Sequence, residues 1–199
     1  QCGPAGEKMV RYACVLNELK HANGRTGMGA VMGSKNLRAI AVRGTGKLAV
    51  ADQEKVREIG KQVSELIAQN AMAQNFKKYG TPFFVMPLNN SGILPTRNFQ
   101  AGIFEGAESI SGETMTDTIL HKSEGCYACA IQCKRAVRVE GKYSAAPEFG
   151  GPEYETVASL GSFCGVSDLA AIAHGNELCN RYGIDTISVG VCIAFAMEC

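Results

Sequence analysis

A tight group of three cysteines constrains this chain more than any other feature of its sequence. Cys126, Cys129 and Cys133 form a C-x2-C-x3-C pattern. Thiolates held this close together repel one another, so a metal ion or cluster is the natural reason to place them side by side. Three close cysteines completed by one remote cysteine are a usual ligand set for a 4Fe-4S cluster. The pattern therefore favours an iron–sulfur site.

Two other interpretations of these cysteines stay open. A zinc site usually contains a second Cys or His pair at a distance, but no second C-x2-C or H-x3-H pattern follows here. The spacing also arises by coincidence in chains that bind no metal. Radical enzymes that use S-adenosylmethionine show the reverse order of spacings, so that class is disfavoured. The other cysteines are scattered, which indicates a reducing, cytoplasmic compartment rather than a secreted disulfide scaffold.

The charge balance excludes some classes of partner. The chain has 20 Lys and Arg against 19 Asp and Glu, a net charge of +1, whereas nucleic-acid and membrane-surface proteins usually show a basic excess. No apolar run approaches the roughly 18 to 20 residues that span a bilayer. We therefore expect a soluble chain without a nucleic-acid or membrane partner. Because it begins at Gln1 and stops at Cys199 within an apparent helix, we also expect a fragment of a longer protein.

Hydrophobic patterning predicts an α+β fold in two sections. Residues 9–16, 38–43 and 48–50 favour strands, which gives a short β-rich section over residues 1–50. Asp52 is a good N-cap, and the apolar spacing after it predicts a helix to about Lys78. Residues 80–112 indicate irregular structure, and residues 114–122 a helix. Three more helices follow, with Pro152 in the first turn of one and Ser167 and Asp185 capping the others. Residues 51–199 thus form a mainly helical section.

A glycine-rich loop, Gly24-Arg-Thr-Gly-Met-Gly29, has two interpretations. Its glycines free backbone amides to approach an anion, and Arg25 adds positive charge. The loop matches neither the Walker A pattern nor the dinucleotide pattern G-x-G-x-x-G. It is therefore either a tight structural turn or a cradle for a phosphate or pyrophosphate.

Two further segments combine polar residues with helix-end signals. Glu153 and Glu155 fall in a predicted first helical turn, where the macrodipole favours acidic residues without any catalytic role. Being two residues apart on a helix, they are expected to point to different sides, so that at most one faces a site. Gly183 and Asp185 read as a helix stop followed by a new N-cap. The histidines lack metal-ligand spacing and are assigned to the surface or the core: His21, His121 and His174.

These segments, in this order, resemble the tungsten-containing aldehyde:ferredoxin oxidoreductase family. The resemblance covers nearly the whole chain and is carried by Gly3-Pro-Ala-Gly-Glu7, the run from Gly24 to Val42, the cysteine motif, Gly151-Pro-Glu-Tyr-Glu-Thr156, and the run from Glu177 to Ile187. It implies that residues 1–50 are the C-terminal part of a pterin-binding β domain. Residues 51–199 would be the mainly helical second domain.

The family's cofactors are implied with the resemblance. They are tungsten, or molybdenum, held by two pterins that magnesium links through their phosphates, and a nearby 4Fe-4S cluster. Cys126, Cys129 and Cys133 would supply three cluster ligands, and the remainder of the chain or a partner subunit the fourth. Asn180 stands where the family motif D-x-x-G-L-D begins with Asp. The implied pterin-binding residues are Arg25, Thr26, Gly27, Met28, Asn180, Gly183, Ile184 and Asp185.

The implied reaction is oxidation of a small aldehyde by water to a carboxylic acid. Electrons would leave through the cluster to ferredoxin or another electron-transfer protein. Glu155, and Glu153 as second choice, would be the carboxylate near the metal. Two alternatives are a subunit of a tungsten-dependent reductase of aromatic acyl thioesters, and a non-catalytic iron–sulfur or zinc module. The 199-residue fragment alone is expected to be inactive.

Overall fold

A computed structural model describes residues 1–199 and confirms an α+β chain that is mainly helical. The strands form two antiparallel hairpins, β1 (Val15–Asn17) with β2 (His21–Gly24) and β3 (Leu120–Glu124) with β4 (Lys134–Val137). No helix combines the length and apolar character needed to cross a membrane. The helices are α1 (Gly3–Glu7), α2 (Met28–Ser34), α3 (Gln53–Gln69), α4 (Ala71–Tyr79), α5 (Val85–Asn90), α6 (Gly112–Thr118), α7 (Tyr154–Leu160), α8 (Leu169–Tyr182) and α9 (Thr186–Glu198).

The strands predicted in the first section are mostly wrong. Residues 38–43 and 48–50 form no strand, and Ile40 and Val42 are 71% and 87% exposed. An alternating sequence becomes a strand only where a neighbouring strand accepts its backbone hydrogen bonds, and none lies beside these residues. The strand predicted for residues 9–16 shrinks to β1, and α1 and α2 occupy positions for which no helix was predicted.

The long helix predicted from Asp52 to Lys78 is divided into α3 and α4. Asp52 caps α3 as predicted, because its carboxylate accepts a hydrogen bond from the Lys55 amide at 2.9 Å. Asn70 interrupts the run with extended backbone, and its side chain caps α4 by accepting from the Ala73 amide at 2.9 Å. Asparagine favours such a local cap over a mid-helix position, which the apolar spacing alone did not reveal.

Residues 80–122 also differ from the prediction. Helix α5 and short 3-10 turns occupy part of the stretch predicted to be irregular. The helix predicted for residues 114–122 ends at Thr118, because β3 then begins and pairs with β4 across the loop that carries the three cysteines. The cysteine motif therefore lies in a hairpin loop.

The three C-terminal helices are confirmed, with two shifted starts. Helix α7 begins after Glu153, whose extended backbone makes it the N-cap, so Pro152 lies before the helix rather than in its first turn. Helix α8 is capped by Asp168 instead of Ser167, since the Asp168 carboxylate accepts from two backbone amides at 3.0 and 3.1 Å. Asp185 caps α9 as predicted.

The first section is held against the α8–α9 turn by backbone hydrogen bonds. The Cys14 amide donates to the Gly183 carbonyl at 2.8 Å, and the Asp185 amide donates to the Tyr12 carbonyl at 3.1 Å. Gly183 is left-handed, with φ 75°, and a Cβ there would lie 2.6 Å from the Cys2 carbonyl oxygen. A side chain at residue 183 would therefore be both strained and blocked.

The main core lies between α5, α6, β4, α7 and α8. Its most completely buried members include Val85, Leu94, Ile110, Met115 and Val157. Helices α7 and α9 approach so closely that a Cβ at Gly190 would lie 2.4 Å from the Ser159 carbonyl oxygen. Nearer the predicted site residues, the hydroxyls of Thr156 and Thr186 lie 2.8 Å apart and join the start of α7 to the start of α9.

Candidate functional site

One open cavity of about 410 Å³ brings together residues from three of the predicted segments. Arg25 comes from the glycine-rich loop, Glu153 and Glu155 from the start of α7, and Asn180 and Asp185 from the α8–α9 turn. Ile184 also lines the cavity. The remaining predicted residues do not form its wall: Thr26, Gly27, Met28, Gly183, Cys126, Cys129 and Cys133.

Arg25 is joined to Asp185 by a two-point ion pair. The Arg25 Nε donates to Asp185 Oδ1 at 3.0 Å, and Nη2 donates to Oδ2 at 2.9 Å. The Asp185 side chain is buried, whereas about half of the Arg25 side chain is exposed. Paired guanidinium–carboxylate hydrogen bonds fix orientation as well as distance, so Asp185 holds the Arg25 head group at the edge of the cavity.

Asp185 also organises the start of α9. Its carboxylate accepts from the amides of Ile187 and Ser188 and from the Ser188 hydroxyl. Burial raises the pKa of Asp185, but the hydrogen bonds from Arg25 and Ser188 outweigh it and leave that pKa below its usual value. The carboxylate is therefore ionised and fully engaged with the protein, which makes Asp185 an anchor for Arg25.

The Asn180 side chain fits its position as an amide. Its Nδ2 donates to the Phe149 carbonyl oxygen at 2.8 Å. A carboxylate cannot donate this hydrogen bond. An asparagine in place of the aspartate of the family motif therefore has a local hydrogen-bond partner, and Asn180 also lines the cavity.

Both glutamates line the same cavity, so the prediction that at most one faces a site is wrong. Glu155 lies in the first turn of α7, but Glu153 is the N-cap and has extended backbone, with ψ 170°. The angular spacing of a helix does not apply across that residue. Two carboxylates therefore border one space.

Glu153 connects the cavity to the cysteine hairpin. Its carboxylate accepts from the Lys134 ammonium at 3.1 Å and from the Thr81 hydroxyl. Burial lowers the pKa of Lys134, but the negative charge of Glu153 more than compensates and raises it above its usual value. Sequence reasoning missed both partners. Lys134 directly follows Cys133 in the sequence, so a role beside the cysteine motif could have been predicted for it. Thr81 is 72 residues from Glu153, and no sequence pattern links the two.

The three cysteines lie in free form in and beside the β3–β4 loop. Backbone amides of Gln132 and Ile131 bond the Cys129 sulfur and lower the pKa of its thiol. Burial, and then the charge of Glu153, raise the pKa of Cys133. No group of three or more His, Cys, Asp or Glu side chains is arranged to hold a single metal ion.

The donor chemistry fits the two groups that the resemblance implies. Amide N–H groups directed at a cysteine sulfur suit an iron–sulfur cluster, whose potential depends on such bonds. The cavity combines Lys20, Arg25 and Lys134, each of which is paired with a carboxylate, with the amides of Asn176 and Asn180. Cations and amides of this kind bind phosphates and heterocyclic rings. The assignment of individual ligands stays a prediction.

Comparison with known proteins decides the family. Residues 1–44 match the family described as aldehyde ferredoxin oxidoreductase, N-terminal domain, and residues 58–199 match aldehyde ferredoxin oxidoreductase, domains 2 and 3. The chain belongs to the aldehyde ferredoxin oxidoreductase family. This confirms the resemblance that the sequence motifs carried.

The curated relatives of this chain in the aldehyde ferredoxin oxidoreductase family are considerably longer than the chain itself. It is 42% identical to a tungsten-containing aldehyde ferredoxin oxidoreductase of Thermococcus kodakarensis and 44% identical to that of Pyrococcus abyssi. Each match covers 98% of the chain and 32% of the relative. An aliphatic sulfonate oxidoreductase, WOR-like subunit, of Pyrococcus furiosus is 30% identical over 98% of the chain and 31% of its own length. The chain therefore spans about a third of the length of these relatives.

A solved structure shares the fold. It is the active-site complex BamBC of benzoyl coenzyme A reductase in complex with 1,5-dienoyl-CoA, with a TM-score of 0.73 and 23% identity. The likeness covers 98% of this chain and 31% of that one. The hairpins and helices described above are thus arranged as in an experimentally determined protein.

Proposed function

We propose that this chain is part of a tungsten-containing oxidoreductase that converts an aldehyde and water to a carboxylic acid, releasing two electrons and two protons. In this proposal residues 1–50 belong to a pterin-binding domain and residues 51–199 to the mainly helical domain. Family membership supports the reaction class, and the cavity between the glycine-rich loop, α7 and the α8–α9 turn supports its location.

The main support for the proposal is the set of residues that meet around the cavity. The cavity that contains Glu155 also contains Arg25 and Asn180, and through Glu153 and Lys134 it adjoins the cysteine hairpin. The proposed reaction needs a protein carboxylate that acts on the substrate, a cofactor site and an electron-transfer site close to one another. Candidates for the first two line one cavity and the cysteine hairpin adjoins it, which supports the proposal.

The chain's residues would hold the cofactor at two sides of this cavity. When bound, a tungsten–bis-pterin group with its magnesium ion would supply a Lewis acid and a two-electron acceptor. Arg25, fixed by Asp185, offers charge-assisted hydrogen bonds to a phosphate or ring oxygen. Asn180 and Ile184 border the same space. Molybdenum is the alternative metal.

Glu155 would act on the substrate. Its side chain lines the cavity, and no ion pair engages it, unlike Glu153. An unpaired carboxylate within hydrogen-bond reach of the attacking water or the aldehyde can accept the proton that water loses as the new C–O bond forms. Glu155 is therefore the proposed general base, and Glu153 a positioning residue.

The cysteine hairpin would hold the electron-transfer group. Cys126, Cys129 and Cys133 are the proposed ligands of a 4Fe-4S cluster, with the fourth ligand from the remainder of the chain or a partner subunit. Ferredoxin or a similar electron-transfer protein would take the electrons singly. All nine cysteines are free, which agrees with a reducing, cytoplasmic location.

The test is an assay of the full-length protein with Glu155→Gln, using Glu140→Gln as the control because Glu140 is exposed and does not line the cavity. We expect Glu155→Gln to lower kcat for aldehyde oxidation by roughly 100-fold or more, with metal content unchanged, and the control to retain activity. Equal activity in both variants would exclude Glu155 as the base. Reduction of an aromatic acyl thioester without aldehyde oxidation would instead favour the reductase alternative.

A further inference from the structure

A second, smaller cavity adjoins the first. It measures about 160 Å³ and lies between the segment 95–99, α7 and α9. Glu155 and Ile187 line both cavities. A molecule seated in the smaller cavity would therefore extend directly toward the carboxylate that we assign to catalysis.

The walls of the smaller cavity are almost entirely apolar. Phe99 and Phe163 meet edge to face, with ring centroids 4.7 Å apart and planes at 75°. Val191 of α9 forms part of the opposite wall. The hydroxyl of Ser159 lies near two carbonyl oxygens, those of Thr156 and Thr186, and it therefore has partners outside the cavity.

Phe99 is placed at the cavity edge by an unusual turn. Arg97, Asn98 and Phe99 are consecutive left-handed residues, with φ of 44°, 52° and 63°. Such values are uncommon for residues other than glycine. Two hydrogen bonds of 3.0 Å hold the turn, from the Arg97 amide to the Ser162 carbonyl and from the Asn98 amide to the Phe163 carbonyl. Phe99 is 75% exposed, so this turn presents its ring rather than burying it.

We propose that Phe99 and Phe163 determine substrate specificity by binding the apolar substituent of the aldehyde, with the carbonyl group directed toward Glu155. This inference rests on the proposed function. An apolar cavity of roughly 150 Å³ accommodates benzene, so the volume suits one aromatic ring or a branched alkyl group of that size. Edge-to-face contact with the two phenylalanines favours an aromatic ring.

The charge of the cavity excludes another class of aldehyde. Its lining contains no Lys, Arg or His, and its one ionisable acid is Glu155. A phosphorylated or carboxylate-bearing substituent would lose its hydration there without gaining a counter-ion. The pocket therefore selects uncharged, ring-sized substituents over anionic ones.

Two variants of the full-length protein test this assignment from opposite directions. Phe99→Ala removes an exposed wall residue and is expected to fold, while Val191→Phe fills the space. Phe195→Ala is the matched control, since Phe195 is an exposed phenylalanine on α9 outside this cavity. The ratio of kcat/KM for benzaldehyde to kcat/KM for acetaldehyde is measured in each. We expect the ratio to fall on the order of 5-fold in Phe99→Ala and further in Val191→Phe, with no change in Phe195→Ala.

Binding of benzyl alcohol, followed by saturation-transfer NMR, separates this inference from the proposed function. Binding that weakens in Phe99→Ala and Val191→Phe but not in Phe195→Ala supports the pocket, even if the parent protein oxidises no aldehyde. Equal binding in all four proteins, or an unchanged ratio of kcat/KM in an active enzyme, would overturn the assignment.

Discussion

Arg25 and Asp185 are 160 residues apart in the chain, yet they share two hydrogen bonds of 3.0 and 2.9 Å. The pair joins the glycine-rich loop to the first turn of α9. Backbone bonds from Cys14 to Gly183 and from Asp185 to Tyr12 reinforce the same junction. The α8–α9 turn therefore holds the glycine-rich loop in place at the wall of the larger cavity.

Replacing Arg25 should change how stability depends on pH. Because the folded pKa of Asp185 is lowered, its ionised form stabilises the fold above about pH 4, the unfolded value, and this contribution is lost as the pH falls through the folded pKa. In Arg25→Met we expect the free energy of unfolding at neutral pH to fall by about 1 to 2 kcal/mol, since Arg25 is half exposed and water screens the pair.

Denaturant unfolding of the full-length variants between pH 7 and pH 3 measures this effect. The difference between Arg25→Met and the parent should shrink as the solution is acidified. Arg11→Met provides the control, because Arg11 is exposed and forms no ion pair. A constant difference at every pH would show that the Arg25–Asp185 pair is not its source.

Asn180→Asp should destabilise the chain although it restores the family motif. The new carboxylate would face the Phe149 carbonyl oxygen that Asn180 now donates to, and it would leave that acceptor unpaired. We expect a loss of about 1 to 3 kcal/mol in the free energy of unfolding. Thermal unfolding compares it with Asn17→Asp, at an exposed residue of β1. Equal melting temperatures for the two variants would contradict the assigned hydrogen bond.

Lys134→Gln should lower the reduction potential of the proposed cluster. Lys134 places a half-buried positive charge beside Cys133 and Glu153, and positive charge favours the reduced, more negative cluster. A redox titration followed by electron paramagnetic resonance should give a more negative midpoint potential. Lys122→Gln is the control, because Lys122 is an exposed lysine on β3. Equal potentials in Lys134→Gln and Lys122→Gln would show that the charge of Lys134 does not tune the cluster.

Serine substitution tests the cluster ligands directly. Cys126→Ser, Cys129→Ser and Cys133→Ser should each lower the iron content of the full-length protein well below about four atoms per chain. Cys192→Ser alters an exposed cysteine outside the hairpin and should leave iron unchanged. Full iron content in any of the three hairpin variants would exclude that cysteine as a ligand.

Several local signals in the sequence predicted local structure correctly, although those at Ser167 and Pro152 did not. Asp52 and Asp185 were predictable as N-caps, and Gly183 as a helix stop, because each effect involves only the next few residues. The prediction of a strand at residues 38–43 was wrong because a strand also needs a neighbouring strand, which the local sequence does not reveal. Asn70 divided a predicted helix because its side chain offered a competing cap.

The sequence motifs supplied candidate site residues but little of their geometry. The motifs identified Arg25, Asn180 and Asp185, but no pattern showed that Arg25 and Asp185 bind each other. Glu153 was expected to face away from Glu155, since helical spacing was applied to a residue that lies outside the helix. Long-range contacts of this kind depend on the complete fold.

Metal analysis of the full-length protein, purified anaerobically from its native source, tests whether it carries both tungsten and an iron–sulfur cluster. We expect about four iron atoms and about one tungsten atom per chain, together with an intact mass greater than that of 199 residues. Zinc, or iron without tungsten or molybdenum, would contradict the proposed catalysis.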